Sequence, residues 1–202
     1  GQALIHPDIP LSTYTVFLFF LIDNIRAICY NESEFRRKPG SKGTIMTKQI
    51  RTAVIGLGSR GYSMLGLLCG MDDCTVCAVC DSYADRVEAA QALVEKTCGT
   101  RPFGCTDYRD ILTRTDVDAV LIMTAWEAHV EIACAALRAK KPVGLEVGGA
   151  YTLEDCYTLI REQEATQTPF MFLENCCYGR MEMMVMRMAD EGLFGRIMHC
   201  EG

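Results

Sequence analysis

Ile50-Arg51-Thr52-Ala53-Val54-Ile55-Gly56-Leu57-Gly58-Ser59-Arg60-Gly61 is a hydrophobic strand that runs directly into G-x-G-x-x-G. Glycine-rich turns are common, so the pattern alone is weak; its setting makes it specific. A strand precedes it, and an apolar-faced helix, Ser59 to Met71, follows it. Three needs then fall on glycine in turn: a tight turn, close approach of the backbone to a pyrophosphate, and close packing of helix on strand. The helix N-terminus faces the phosphates with its free N–H groups. A plain strand-to-helix turn is the alternative reading of the same residues.

Outward from this motif, strands and helices alternate, the signature of a parallel sheet covered by helices on both faces. Strands are expected at Thr75 to Cys80, Ala119 to Met123, Pro142 to Val147 and Pro169 to Leu173. Helices are expected at Tyr83 to Thr97, Asp107 to Thr113, Trp126 to Lys140 and Leu153 to Ala165, the last starting behind Thr152 with Glu154 and Asp155 in its first turn. The fold class is therefore α/β, a doubly wound parallel sheet of the Rossmann kind spanning residues 46–175. Residues 176–202 read as the beginning of a truncated second α+β domain, with Arg196 to Glu201 as its first strand and the methionine-rich helix Met181 to Met188 as core or subunit interface.

The first 45 residues differ from the rest. Their one apolar run, Val16 to Ile22, is too short to span a bilayer and lacks signal-peptide flanks. Asn31 to Gly43 reads as a linker, and residues 1–45 as a non-native or upstream-translated extension. A net charge of −6 and a pI near 5.1 leave no basic surface for a phosphate backbone, which argues against nucleic acid as a partner. Twelve cysteines, most of them inside apolar strand or helix patterns, read as reduced structural thiols in a cytoplasmic protein. Cys74, Cys77 and Cys80 have iron-sulfur spacing, but an extended strand sends Cys77 to the face opposite Cys74 and Cys80, so no metal site is expected.

Asp81 closes the second strand twenty residues past Gly61, where a carboxylate accepts hydrogen bonds from both ribose hydroxyls and repels a 2′-phosphate. NAD is favoured over NADP, although Arg60 and Arg86 lie close enough in sequence to soften the preference. Asp81 also reads as a cap ahead of Tyr83. The other polar candidates, Thr124, Trp126, His129, Glu146, Glu174 and Asn175, all follow carboxyl ends of strands, the edge at which open α/β sheets bind ligands. For each, a helix cap or a solvated loop residue is the alternative.

Together these segments resemble the Gfo/Idh/MocA family, the glucose-fructose oxidoreductase and inositol dehydrogenase relatives. The likeness rests on Ala53 to Gly58, Val79-Cys80-Asp81, Tyr108 to Leu112, Asp118-Ala119-Val120, the Thr124 to His129 turn and Lys141 to Glu146. Members of that family continue the last strand as Glu-Lys-Pro, with the lysine beside the substrate hydroxyl being oxidised. Here Val147 and Gly148 take the lysine and proline positions, so the usual proton-handling group is missing.

Trp126-Glu127-Ala128-His129, Glu146-Val147 and Leu173 to Tyr178 are similar to a branch that contains the NAD-dependent α-N-acetylgalactosaminidases. That resemblance implies that Ser59, Arg60, Asp81, Trp126 to His129, Glu146, Val147 and Asn175 line the NAD; Gly56, Gly58 and Gly61 of the glycine motif and Thr124 at its strand end complete the expected cofactor site, and Glu146 and Tyr178 are the catalytic candidates. Such glycosidases oxidise the sugar at C3, which acidifies the C2 proton and permits elimination; water adds and the hydride returns. The function expected is NAD(P)-dependent hydride transfer on a sugar or sugar derivative. A redox glycosidase and a non-catalytic NAD-binding module are the alternatives. The full-length parent is expected to form a homo-oligomer.

Overall fold

The computed structural model describes residues 49–201. The extension read at residues 1–45, and the start of the Rossmann domain at residue 46, lie outside the described residues. The chain divides into two compact units, with the boundary between Leu173 and Glu174.

The first unit is a single parallel sheet. Its strands are β1 (Ile50–Ile55), β2 (Cys74–Cys80), β3 (Phe103–Cys105), β4 (Ala119–Ile122), β5 (Val143–Leu145) and β6 (Phe170–Phe172). Its helices are α1 (Ser59–Cys69), α2 (Ala84–Cys98), α3 (Tyr108–Leu112), α4 (His129–Arg138) and α5 (Leu153–Thr166). The strand order β3-β2-β1-β4-β5-β6 is doubly wound, and the direction of winding reverses between β1 and β4. All four residues of β4 are buried, as a strand covered on both faces must be. One core cluster runs from Ala53 and Ile55 through Val120 and Ile122 to Ile132, Leu137, Leu145 and Leu159, so α4 and α5 cover one face of the sheet.

Local chemistry sets the helix ends. The Thr152 side chain accepts from the Asp155 N–H while the Asp155 carboxylate accepts from the Thr152 N–H, a complete capping box for α5. α2 stops at Gly99, which adopts φ +75°, a backbone conformation that costs glycine least. In contrast, α1 begins behind Gly58, an N-cap that has no side chain to offer a capping bond.

Four expectations need correcting. β3 was not foreseen; it is a three-residue strand paired only with β2. The expected helix from Trp126 to Lys140 is a 3₁₀ turn, Trp126–Ala128, followed by α4. Cys77 falls in a β-bulge: Thr52 pairs with Val76 and Ala53 with Ala78, which leaves Cys77 without a partner and breaks the simple alternation. As a result Cys77 and Cys80 pack against the same core cluster, whereas the Cys74 thiol meets the Thr52 hydroxyl at 3.1 Å. Burial pushes the Cys77 thiol up to about 12, so it stays protonated at neutral pH. Among the described residues no group of three or more His, Cys, Asp or Glu could hold a metal ion.

In the second unit a 3₁₀ turn, Cys176–Tyr178, leads into α6 (Arg180–Asp190). Residues 196–201 form no strand, which is the fourth correction; no described residue of that unit offers a strand to pair with. On α6 the methionine side chains at 181, 183, 184 and 186 are exposed within this chain. No helix among the described residues is long and apolar enough to cross a membrane.

Candidate functional site

The turn between β1 and α1 separates its glycines by task. Gly56 has φ +97°, and a β-carbon there would come within 2.5 Å of the Met123 carbonyl carbon and the Thr124 nitrogen, because the end of β4 passes beside it. At Gly61 a β-carbon would overlap the Gly56 carbonyl oxygen, so α1 rests directly on the turn. Gly58 faces open space, with nothing within 4 Å of where its β-carbon would be. Two glycines are thus required by the protein's own packing, and the middle one clears an approach to the N-terminus of α1. A pyrophosphate fits such a cradle.

Asp81 follows β2 and is 8% exposed. One carboxylate oxygen accepts from the Leu57 N–H at 2.7 Å, inside the glycine turn, and the other from the Tyr83 N–H at 3.0 Å. Asp81 therefore fastens the turn ahead of α2 but does not cap that helix, whose N-cap is Tyr83 with no side-chain capping bond. With roughly four lone-pair sites on a carboxylate, two N–H donors still leave capacity for ribose hydroxyls. The Arg86 guanidinium lies 3.6 Å from the same carboxylate and 4.4 Å above the Tyr83 ring.

At the end of β5, Glu146 is 8% exposed and both of its oxygens are engaged. Arg60 Nε of α1 donates to Oε2 at 2.7 Å, and the Val147 N–H donates to Oε1 at 3.1 Å. This ion pair ties the glycine turn to the β5 end across the sheet. Val147 is 37% exposed and brings no proton-carrying group to the position where the family places lysine.

His129 opens α4 and is fully buried, with Nε2 at 3.0 Å from the Thr124 carbonyl oxygen. Burial lowers its pKa, opposed by the Thr124 backbone, the Glu146 charge, the Gly148 backbone and Glu127. His129 Nδ1 and Thr124 Oγ1 are the buried side-chain polar atoms without a hydrogen-bond partner among the described residues, and both lie at this carboxyl edge. Such orphans are uncommon in a folded interior and point to a polar group that completes them. Ser59, the first residue of α1, accepts from the Ser63 hydroxyl through its backbone carbonyl at 2.9 Å.

Trp126 is 52% exposed and lies against Gly148, where any β-carbon would overlap the indole. Gly148 adopts φ +81°, out of reach of a proline ring fixed near φ −65°. The departure from the family's proline is thus a seat for Trp126. Glu127 is exposed and accepts from the Tyr151 hydroxyl at 3.2 Å.

The first unit therefore gathers Gly56, Gly58, Ser59, Arg60, Gly61, Asp81, Thr124, Trp126, Glu127, His129, Glu146 and Val147 along one sheet edge. Asn175 and Tyr178 belong to the second unit, where the Tyr178 N–H donates to the Asn175 carbonyl oxygen at 3.1 Å. Sequence reasoning missed the Leu57–Asp81 bond and the roles of Gly148 and Tyr151. Only Gly148 had left a signal, as a glycine where relatives carry proline.

A family model described as an oxidoreductase family with an NAD-binding Rossmann fold matches residues 50–172. A glycosyl hydrolase family 109 protein from Streptomyces filamentosus is 40% identical over 159 residues, covering 76% of this chain and 32% of its own length. An α-N-acetylgalactosaminidase from Shewanella oneidensis is 35% identical over 185 residues, covering 87% of this chain and 40% of its own. This chain thus spans about a third of the length of such curated relatives. Among solved structures, a probable dehydrogenase from Thermotoga maritima aligns with TM-score 0.66 at 25% identity, over 72% of this chain and 42% of that one. The scyllo-inositol dehydrogenase of Lactobacillus casei, solved with NAD(H) and scyllo-inositol, aligns with the same TM-score at 20% identity over 74% and 43%, a likeness of fold. The chain belongs to the Gfo/Idh/MocA family of oxidoreductases and carries its NAD-binding Rossmann fold.

Proposed function

We propose that this chain is the NAD-binding part, residues 46–175, of an enzyme that acts on a sugar or sugar derivative by hydride transfer, with residues 176–202 leading into its second domain. The observation that carries the reading is the glycine turn. Gly56 and Gly61 are packed against protein, Gly58 is open, and Asp81 is fastened to the same turn through Leu57. Bound NAD would supply the hydride acceptor. Gly58, Ser59 and Arg60 would meet the pyrophosphate, Asp81 the adenosine ribose, and Thr124, Trp126, Glu127, His129, Glu146 and Val147 the nicotinamide half. Glu146, held by Arg60 and the Val147 N–H, is suited to orienting rather than to proton transfer; Tyr178 is the other catalytic candidate.

A specific observation favours the second reading, glycoside cleavage with the cofactor restored in each turnover. Val147 stands where a lysine would relay the hydroxyl proton, and relatives at 35–40% identity are named for glycoside hydrolysis. A parent enzyme of full length, supplied with an aryl glycoside and NAD in catalytic amount, then cleaves the glycoside without net NADH. Steady NADH growth on a free polyol, with no glycoside cleaved, removes that reading. A chain that binds NAD yet processes neither is the non-catalytic module. A homo-oligomer and a cytoplasmic setting complete the proposal, supported by the exposed methionine face of α6 and by free thiols such as those of Cys74, Cys80 and Cys134.

A further inference from the structure

α1 and α2 pack against each other, and each ends on a cysteine followed by a glycine, Cys69-Gly70 and Cys98-Gly99. The two ends meet: Cys98 Sγ lies 4.0 Å from the Cys69 carbonyl oxygen, although 29 positions separate the residues. Burial pushes the Cys69 thiol up to about 12, and hydrogen bonding with the Cys98 thiol adds to the rise. Cys69 is half-buried and Cys98 exposed, so solvent reaches the pair from the Cys98 side. The backbone there has room to adjust, because both residues close their helices and a β-carbon at Gly99 would meet nothing within 4 Å. A second facing pair, Cys80 and Cys105 in the β2–β3 register, lacks both properties: Cys80 is 3% exposed, and the ladder fixes the two backbones.

We propose that Cys69 and Cys98 form a reversible disulfide site, closed by hydrogen peroxide, that staples α1 to α2. The exposed Cys98 sulfur attacks one peroxide oxygen, the O–O bond breaks, and water leaves as the sulfur becomes a sulfenic acid. The Cys69 sulfur then attacks that sulfur, the S–O bond breaks, and the Cys69 proton departs with the hydroxyl as a second water. The two thiols lose two electrons and one peroxide gains them; a dithiol returns the pair to its reduced form by exchange. The ring closed in this way holds all of β2, Asp81 and α2, so the bridge restrains the unfolded chain across the segment that carries the ribose acid. Cys69 is the last of the 11 residues of α1, about 16 Å along the helix from the glycine turn, so the staple leaves the cofactor edge clear.

The full chain, first reduced and kept dilute enough to hold copies apart, is treated with hydrogen peroxide, blocked with N-ethylmaleimide and digested without reductant by trypsin and an aspartate-directed protease. Cleavage after Arg60, before Asp72, after Lys96 and after Arg101 isolates each cysteine in its own peptide, residues 61–71 and 97–101. Mass spectrometry is expected to find these peptides joined, two hydrogens lighter than their sum, and parted again by dithiothreitol. The Tm of the oxidised chain is expected to rise by about 5–10 °C over the reduced one, the size of a bridge closing a ring of this length, with NAD affinity unchanged. Cys98→Ser should abolish both the joined peptides and the rise, and Cys69→Ser should leave a Cys98 sulfenic acid that dimedone traps. The wild-type peptide map tests the pairing even if a variant fails to fold. A Cys98 that resists peroxide, or whose sulfenic acid persists in the wild type, overturns the proposal. So does a bridge from either residue to another cysteine or to another chain, or a joined pair that leaves Tm unchanged.

Discussion

Asp81 is asked to do two things, and substitution can separate them. Its carboxylate takes the Leu57 N–H at 2.7 Å and the Tyr83 N–H at 3.0 Å, and Leu57 is 3% exposed. Asp81→Ala strands the Leu57 donor away from water, which costs about 1–3 kcal/mol for a buried group that loses its partner. For a domain of this size each kcal/mol lowers Tm by about 2–4 °C, so a fall of roughly 4–8 °C is expected at the centre of that range. Asp81→Asn keeps one acceptor oxygen for Leu57 while its amide NH2 replaces the acceptor of the more exposed Tyr83 N–H, and it is expected to cost about 1 kcal/mol. It also removes the charge that opposes a 2′-phosphate and releases Arg86, 3.6 Å away, to meet one. Thermal unfolding and paired titrations with NAD and NADP read the two effects. The wild type should prefer NAD; Asp81→Asn should bring the two affinities together with little loss of Tm, while Asp81→Ala loses both preference and stability. An unchanged NAD to NADP ratio in Asp81→Asn, or an unchanged Tm in Asp81→Ala, would refute the reasoning.

The glycines give a matched pair. Gly61→Ala forces α1 off the Gly56 carbonyl and should cost about 2 kcal/mol, as overpacking does, whereas Gly58→Ala stays within about 1 kcal/mol of wild type yet weakens NAD binding. Equal stability losses in denaturant titrations of the two would contradict the division of tasks. The pKa of His129 is lowered by burial from its ordinary 6.5, so the folded chain resists a proton that the unfolded chain accepts. Its share of stability is present above about pH 6.5 and lost as the pH falls toward the lowered value, and His129→Gln should flatten the fall in unfolding free energy between about pH 7 and 5. An unaltered slope would show that other groups carry it.

Much of this was legible in the residues because the signals were local. A buried strand, three glycines at fixed spacing and an acid twenty residues on are consecutive or nearly so, and the strand order follows from winding rules. β3 escaped notice because Phe103-Gly104-Cys105 is too short to show alternation and is held from one side only. The bulge at Cys77 depends on its register against β1, which periodicity cannot reveal. The left-handed turn at Gly148 answers to an indole that sits more than twenty residues earlier in the chain. Arg196 to Glu201 has the composition of a strand, but a strand exists only by pairing, and composition does not supply a neighbour. Asn175 and Tyr178 fall in the other compact unit, past the boundary after Leu173, so the strand-end rule that singled out Asn175 says nothing of its surroundings.

The position of β1 at the switch in winding has a consequence for how the chain is made. Its first neighbour, β2, is only two dozen residues downstream, but its second, β4, begins at Ala119, and the Arg51–Asp118 ion pair that fastens the two spans 67 positions. During synthesis β1, β2 and β3 therefore emerge with the flank of Ile50–Ile55 uncovered, an open row of N–H and C=O groups beside apolar side chains. The central strand of the finished sheet is an edge strand for the time the ribosome takes to add roughly seventy residues, at about 5–20 per second. In that interval the nascent chain is open to strand addition from another copy, and a substitution that delays β4, such as one at Asp118, should lower the yield of folded protein more than it lowers the stability of what folds.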